Sequence, residues 1–146
     1  MSDHIPDELD PAGRDLRAYT DELRPDHRVV RNARGEWVLL RHADIVEAAV
    51  MAANAESDGS VPVTAKFRIG IDDDHETYRD VARLCEDAGI EALTLHARTM
   101  TQHYSGQARW NVIAELNEMT ELPVFGNGDV FDADDASAMM DETGAA

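Results

Sequence analysis

Apolar residues recur along this chain in two rhythms, and the change between them divides the molecule. In the first part the rhythm is mixed. Asp10 can cap a helix with Pro11 at its first position, and Leu16, Tyr19 and Leu23 follow at three- and four-residue spacing until Pro25 closes the run. Arg28 to Arg31 and Glu36 to Leu40 read as two short strands across the turn Asn32-Ala33-Arg34-Gly35. Ile45, Val46, Ala49 and Val50 give a helix from Ala43 to Ala53 its apolar side, and Glu56-Ser57-Asp58-Gly59-Ser60 interrupts the pattern as a loop.

Beyond that loop the order becomes strand, helix, strand, helix, strand, helix. Val61 to Ile69 reads VPVTAKFRI. Asp73 or Asp74 can cap a helix through Asp87, with Tyr78, Val81, Ala82 and Cys85 inward and Gly89 as its stop. Ile90 to Leu95 is the next strand. Trp110, Ile113, Ala114 and Asn117 share a helical stripe that Val112, Leu116 and Met119 broaden, and Leu122 to Phe125 forms the third strand. Asp132 followed by Asp135 reads as an acidic cap of a last helix with Ala136, Met139 and Met140, stopping near Gly144. This alternation predicts an α/β fold with parallel strands. A whole (β/α)8 TIM barrel takes about 250 residues, so 146 residues imply a partial, truncated barrel. Met139 and Met140 then have no evident sheet partner. The expected organisation is residues 1–55 as a mixed helix and short-strand segment and residues 56–146 as the partial barrel.

Charge narrows the function classes. The net charge is −17, from 13 basic and 30 acidic side chains. Such a chain repels nucleic acid at long range unless bases are locally concentrated or supplied by another part. A salty environment, which screens acidic repulsion, is one plain explanation. Cys85 is the single cysteine, which excludes an internal disulfide and leaves a cysteine-built metal site unsupported. Its place in the stripe of Tyr78, Val81 and Ala82 marks it as core. No metal site is expected, no long apolar run suggests a membrane span, and the acidic start lacks secretory features, so cytoplasmic residence is the expectation.

The chemistry gathers at the strand ends. Lys66 is the only lysine in the chain and lies inside the apolar run VPVTAKFRI. A lysine stem can cross an apolar layer and place its ammonium at a strand end, where it donates to an anion or phosphate. An outward charge is the plain alternative. Arg68 shares its side of the strand, with a salt bridge to Asp72-Asp73-Asp74 as its ordinary use. His96 and Arg98 follow the second strand in LHART, an imidazole that donates and accepts beside a guanidinium fork. Gly126-Asn127-Gly128-Asp129 follows the third; its glycines admit backbone N–H groups to a phosphate, and an ordinary turn is the alternative. Tyr104, Ser105, Gly106 and Trp110 can shape the rim. His75 and His103 read as capping or surface groups.

The stretches VTAKFRIG, LHARTMTQHYSGQARW and PVFGNGDVFDADDA, followed by MMDETG, run in this order from Pro62 to Gly144 and closely resemble the middle of tRNA-dihydrouridine synthases, flavin enzymes with a TIM-barrel domain. The resemblance implies FMN as cofactor and NADPH as reductant, with hydride passing to a uracil ring of tRNA. It assigns cofactor binding to Lys66 at the flavin pyrimidine edge, to His96 at the ring, and to Asn127 and Gly128 near the phosphate or ribityl part. Arg98 and the Gln102 to Trp110 stretch would form site wall and an RNA-facing surface. The family's proton-donor cysteine loop, Asn-x-x-Cys-Pro, does not occur here and Cys85 does not match it, so no catalytic residue is assigned. The later Gly-Arg phosphate segment and the basic RNA-binding domain are also missing. Residues 10–50, through GEWVLLRHADIVEAA, faintly resemble the start of a cytochrome P450. Two other readings stand beside the synthase: another FMN-binding TIM-barrel oxidoreductase, and a non-catalytic barrel remnant whose sheet edge takes a protein partner that completes the barrel.

Overall fold

The structure, a computed structural model, describes residues 29–31, 37–39 and 42–146. The helix expected after Asp10 and the turn at Asn32 to Gly35 lie outside the described residues. The chain divides into two compact units, Met1–Ala49 and Val50–Ala146.

In the first unit, β1 (Val29–Arg31) and β2 (Trp37–Leu39) pair antiparallel, with Val29 opposite Leu39 and Arg31 opposite Trp37. Both strands fall within the bounds of the expected pair. Helix α1 (His42–Ser57) includes residues of both units and runs four residues past the expected end. Its apolar side is narrower than the sequence suggests. Val50 is buried and Val46 half-buried, four residues apart on one stripe, whereas Ile45 and Ala49 are exposed.

The second unit follows the strand and helix alternation. Strands β3 (Thr64–Arg68), β4 (Ala92–His96) and β5 (Val124–Asn127) form a parallel sheet in that order. Helices α2 (Tyr78–Asp87) and α3 (Trp110–Met119) lie between successive strands in sequence, and α4 (Ala133–Thr143) follows the third. The result is an α/β fold with the strand order and parallel pairing of a partial, unclosed (β/α) barrel.

Register decides which side chains meet. Ala65 pairs with Leu93 and Leu93 with Val124; Phe67 pairs with Leu95 and Leu95 with Gly126. Partners in a sheet point to the same face, so these residues form the face that packs on the helices. Leu93, Leu95 and Val124 are buried there with Tyr78, Ala82 and Cys85 of α2, Ile113 and Leu116 of α3, and Met139 of α4. Gly126 admits that packing, since a Cβ on it would lie 2.4 Å from Met139 Sδ and 3.4 Å from Ile113 Cδ1.

Local details depart from the sequence reading in instructive ways. Helix α2 starts at Tyr78 rather than after Asp73 or Asp74, because the backbone supplies its cap. The Thr77 and Tyr78 N–H groups both donate to Ile69 O, at 2.9 and 3.0 Å. Asp72 instead closes a turn, accepting from Asp74 N–H at 3.1 Å and lying 2.6 Å from His75 Nδ1. The far end ends as expected at Gly89, whose φ of 83° sets up paired bonds from Gly89 N–H to Glu86 O and from Ile90 N–H to Cys85 O. The buried side of α3 centres on Val112, Ile113 and Leu116, so of the expected stripe Ile113 is buried together with two of the residues that broaden it. Asp132 caps α4 as expected, accepting from the Asp134 and Asp135 N–H groups. Met139 does find the sheet, against Gly126, and only Met140 stays exposed. Beyond α4 the chain returns to β5, where Ala146 N–H donates to Val124 O at 2.8 Å.

Candidate functional site

The other face of the sheet is built by the alternate residues. Lys66, Thr94 and Phe125 are cross-strand partners in one row, and Arg68, His96 and Asn127 form the next row toward the strand ends. Past that row lies a cavity of about 860 Å³, walled by Lys66, Arg68, His96, Asn127 and Gly128 together with Tyr104 and Phe131 from the loops. All four residues singled out for cofactor binding therefore border one space.

Lys66 crosses diagonally from its own row, and its Nζ donates to Asn127 Oδ1 at 2.8 Å. The one lysine and the amide of the glycine turn are thus tied across two strands. Asn127 thereby commits its oxygen and keeps its amide N–H groups for other acceptors. Gly128 is confined in two ways. Its φ is 124°, and a Cβ would lie 2.9 Å from Ala108 Cβ and 3.3 Å from His96 Cδ2. Only glycine lets this turn lie against the imidazole.

Burial holds the His96 pKa below the ordinary histidine value, and the positive charges of Arg68, Lys66 and Arg98 push it the same way. At neutral pH the ring is uncharged, offering one donor and one acceptor. The Tyr104 ring stands over it, centroid to centroid 6.4 Å at 44°, and is itself largely exposed at the mouth. Within a chain of net charge −17, the cavity wall gathers Lys66, Arg68 and Arg98 against a single carboxylate, Asp129. Local potential here runs against the global charge and suits an anionic ligand.

The arginines depart from expectation only in their partners. Arg68 makes no ion pair with Asp72 to Asp74 among the described residues; its Nη1 donates to Thr99 O at 3.0 Å while the side chain borders the cavity. Arg98 borders the cavity, as the site-wall reading expects, but it is buried and does not face outward. It is 3% exposed and donates to Ser105 O, Gly106 O and Asp129 Oδ1. Asp129, given no role by the sequence reading, also accepts from Ala108 N–H at 2.6 Å. That bond first, and Arg98 second, hold its carboxyl below the usual carboxylate range. Trp110 does not line the cavity; its indole N–H anchors the turn beside it, donating to Gly128 O at 2.9 Å. Asp129 could have been suspected from the GNGD run, but its partners lie 21 and 31 residues away and no local spacing points to them.

Other candidates fall outside the site. Cys85 is buried in the core, where desolvation pushes its thiol pKa up. His75 pairs with Asp72 on the surface, and His103 is an exposed loop residue at φ 51°. Among the described residues no cluster of histidine, cysteine and carboxylate could hold a metal ion, and no helix is long and apolar enough to cross a membrane.

The profile of the family described as Dihydrouridine synthase (Dus) matches residues 25–146. That match takes in residues 25–50, most of the stretch set beside a cytochrome P450 start, and groups them with the rest of the chain. A "Probable tRNA-dihydrouridine synthase" of Mycobacterium leprae is 44% identical over 121 residues, covering 82% of this chain and 32% of the relative. One of the same description from Mycobacterium tuberculosis is 52% identical over 101 residues, 68% of this chain and 25% of the relative. Another from Treponema pallidum is 42% identical over 107 residues, 70% and 31% respectively. The chain thus spans a third or less of the length of these relatives.

Proposed function

The chain belongs to the dihydrouridine synthase family, and on that premise we propose that its strand-end cavity holds FMN for the NADPH-driven reduction of a uridine in tRNA. The observation that carries this reading is the convergence of Lys66, His96 and the Asn127-Gly128 turn, from three successive parallel strands, on one space. The donor set fits a flavin mononucleotide. The volume of about 860 Å³ lies within the range of cofactor sites, about 300–1,000 Å³. Two cationic side chains face an anionic ligand, a neutral imidazole offers a donor and an acceptor, and a glycine turn brings backbone close.

When bound, the flavin supplies the hydride chemistry, and the protein supplies orientation and charge. Lys66 would sit at the pyrimidine edge, where its ammonium offsets negative charge that develops on reduction. His96, uncharged at neutral pH, would orient the ring by hydrogen bonding without adding a fixed charge. Asn127 and Gly128 would hold the ribityl or phosphate part. Tyr104, exposed at the mouth beside His96, faces the side from which a base could enter. Protonation of the uracil carbon falls to a group other than Cys85, which is shut in the core.

An FMN titration followed by flavin absorbance and tryptophan fluorescence tests the site. The expected result is saturable binding that Lys66→Ala weakens roughly tenfold to a hundredfold, the size of losing a charge-assisted hydrogen bond. His96→Ala should weaken it less. No binding by the folded protein, or affinity unchanged in both variants, overturns the flavin site. Dihydrouridine formation from unmodified tRNA with NADPH and FMN then tests the reaction itself.

A further inference from the structure

The two loops that form the cavity mouth, residues 97–109 after β4 and 128–132 after β5, are held by a set of contacts that the flavin reading does not use. Arg98 is the centre. Its guanidinium is nearly inaccessible, and it reaches Ser105 O and Gly106 O in its own loop and Asp129 Oδ1 in the other. Asp129 returns across the gap, its second oxygen accepting from Ala108 N–H. Trp110 adds a third crossing, from its indole N–H to Gly128 O. The loop carrying Asp129 has a conformation that needs such support: Gly128 and Asp129 have successive positive φ values of 124° and 56°. On the other side, Gln102 braces the turn through Ser105 O and Gln107 O.

We propose that Arg98, Asp129 and Trp110 form a positioning lock that fixes both mouth loops together before any ligand arrives, so that the cavity is preformed. A buried guanidinium with three acceptors and a carboxylate with two donors make a network in which each bond depends on the others. The lock sets two features of the site directly: the Gly128 turn against the His96 ring, and Tyr104 within the segment whose ends Arg98 gathers. These are positioning residues, since each acts through the backbone it holds. Their bearing on flavin binding rests on the reading above; the lock itself is a property of the free protein.

Hydrogen exchange on the ligand-free full chain tests it, read at three N–H groups. The Ala108 amide and the Trp110 indole cross between the loops without touching Arg98, and the Ile90 amide, bonded to Cys85 O at 2.9 Å, reports the helical side. Arg98→Met should speed exchange at Ala108 and Trp110 together by roughly tenfold or more, the size of losing a charge-assisted hydrogen bond, with Ile90 unchanged. Arg98→Lys, which can meet Asp129 but cannot span the two carbonyls, should fall between. Asp129→Asn keeps an acceptor and removes the charge, and gives the same reading should Arg98→Met fail to fold. A pH series separates positioning from mere bulk. With Arg98 gone, Asp129 loses one of the groups that hold its carboxyl low, so protection at the Trp110 indole is lost at a higher pH than in the parent as acid is added. Unchanged exchange at both crossings, or equal loss at Ile90, overturns the lock. In the same folded variants FMN affinity should drop about tenfold; a parent chain that binds no FMN sinks the flavin reading alone, and the exchange data still decide the lock.

Discussion

The two faces of the three-stranded sheet come from the same fourteen residues and behave oppositely. On the helix-covered face, Leu93 and Leu95 have no exposure at all and Gly126 yields its side chain to Met139. On the open face, one register step away, stand Lys66, Arg68, Thr94, His96, Phe125 and Asn127, with Phe125 44% exposed. Period-two alternation assigns stability to one face and chemistry to the other. A single strand such as β4 does both, with Leu95 and His96 adjacent in sequence and opposed in space.

The largest test of that division is a pair of neighbouring substitutions. Leu95→Ala removes side-chain volume from a fully buried site and should cost about 2–5 kcal/mol in urea unfolding, whereas Thr94→Ala on the open face should stay within about 0.5 kcal/mol. Equal effects would abolish the distinction. A smaller effect is expected at the tightest packing point. Gly126→Ala should destabilise by about 1–3 kcal/mol through overpacking, and adding Met139→Ala should recover part of it, because the new methyl would fall 2.4 Å from the Met139 sulfur. Without that recovery, another contact limits the approach of α4 to β5.

The smallest effect sharpens the open face itself. His96 has its folded pKa depressed by burial and by Arg68, Lys66 and Arg98. The unfolded chain then binds a proton at higher pH than the folded one, so stability is full above the unfolded value near 6.5 and is lost as pH falls through the folded pKa. His96→Asn should flatten the dependence of Tm on pH below the unfolded value near 6.5. A variant with the same slope as the parent would show that the imidazole is not in the cationic surroundings described.

Much of this was legible in the residues. The alternation of strand and helix gave the parallel order, and the isolation of Lys66 in an apolar run, with His96 and the glycine turn at comparable strand ends, brought the four proposed cofactor residues to one cavity. What escaped were interactions carried by backbone groups. The start of α2 depends on the Ile69 carbonyl, which no side-chain pattern marks, so the aspartates before it do not cap it. Arg98 is legible as site wall, but its acceptors are two loop carbonyls and a carboxylate 31 residues on, and no periodicity encodes such partners. Side-chain pattern reveals which face a residue takes; it does not reveal which carbonyl a buried guanidinium will find. Periodicity also overstates the apolar breadth of α1 at Ile45, which lies next to the buried stripe and remains exposed.

The proposal that three strand ends converge on one flavin site is tested most directly by following the backbone amide resonances of the isotopically labelled chain during addition of FMN. The account predicts saturable shifts concentrated at residues 66–68, 96–98 and 127–129, with the amides of α2 from Tyr78 to Asp87 unmoved. Shifts confined to one strand end, or scattered over the helical face, would contradict it.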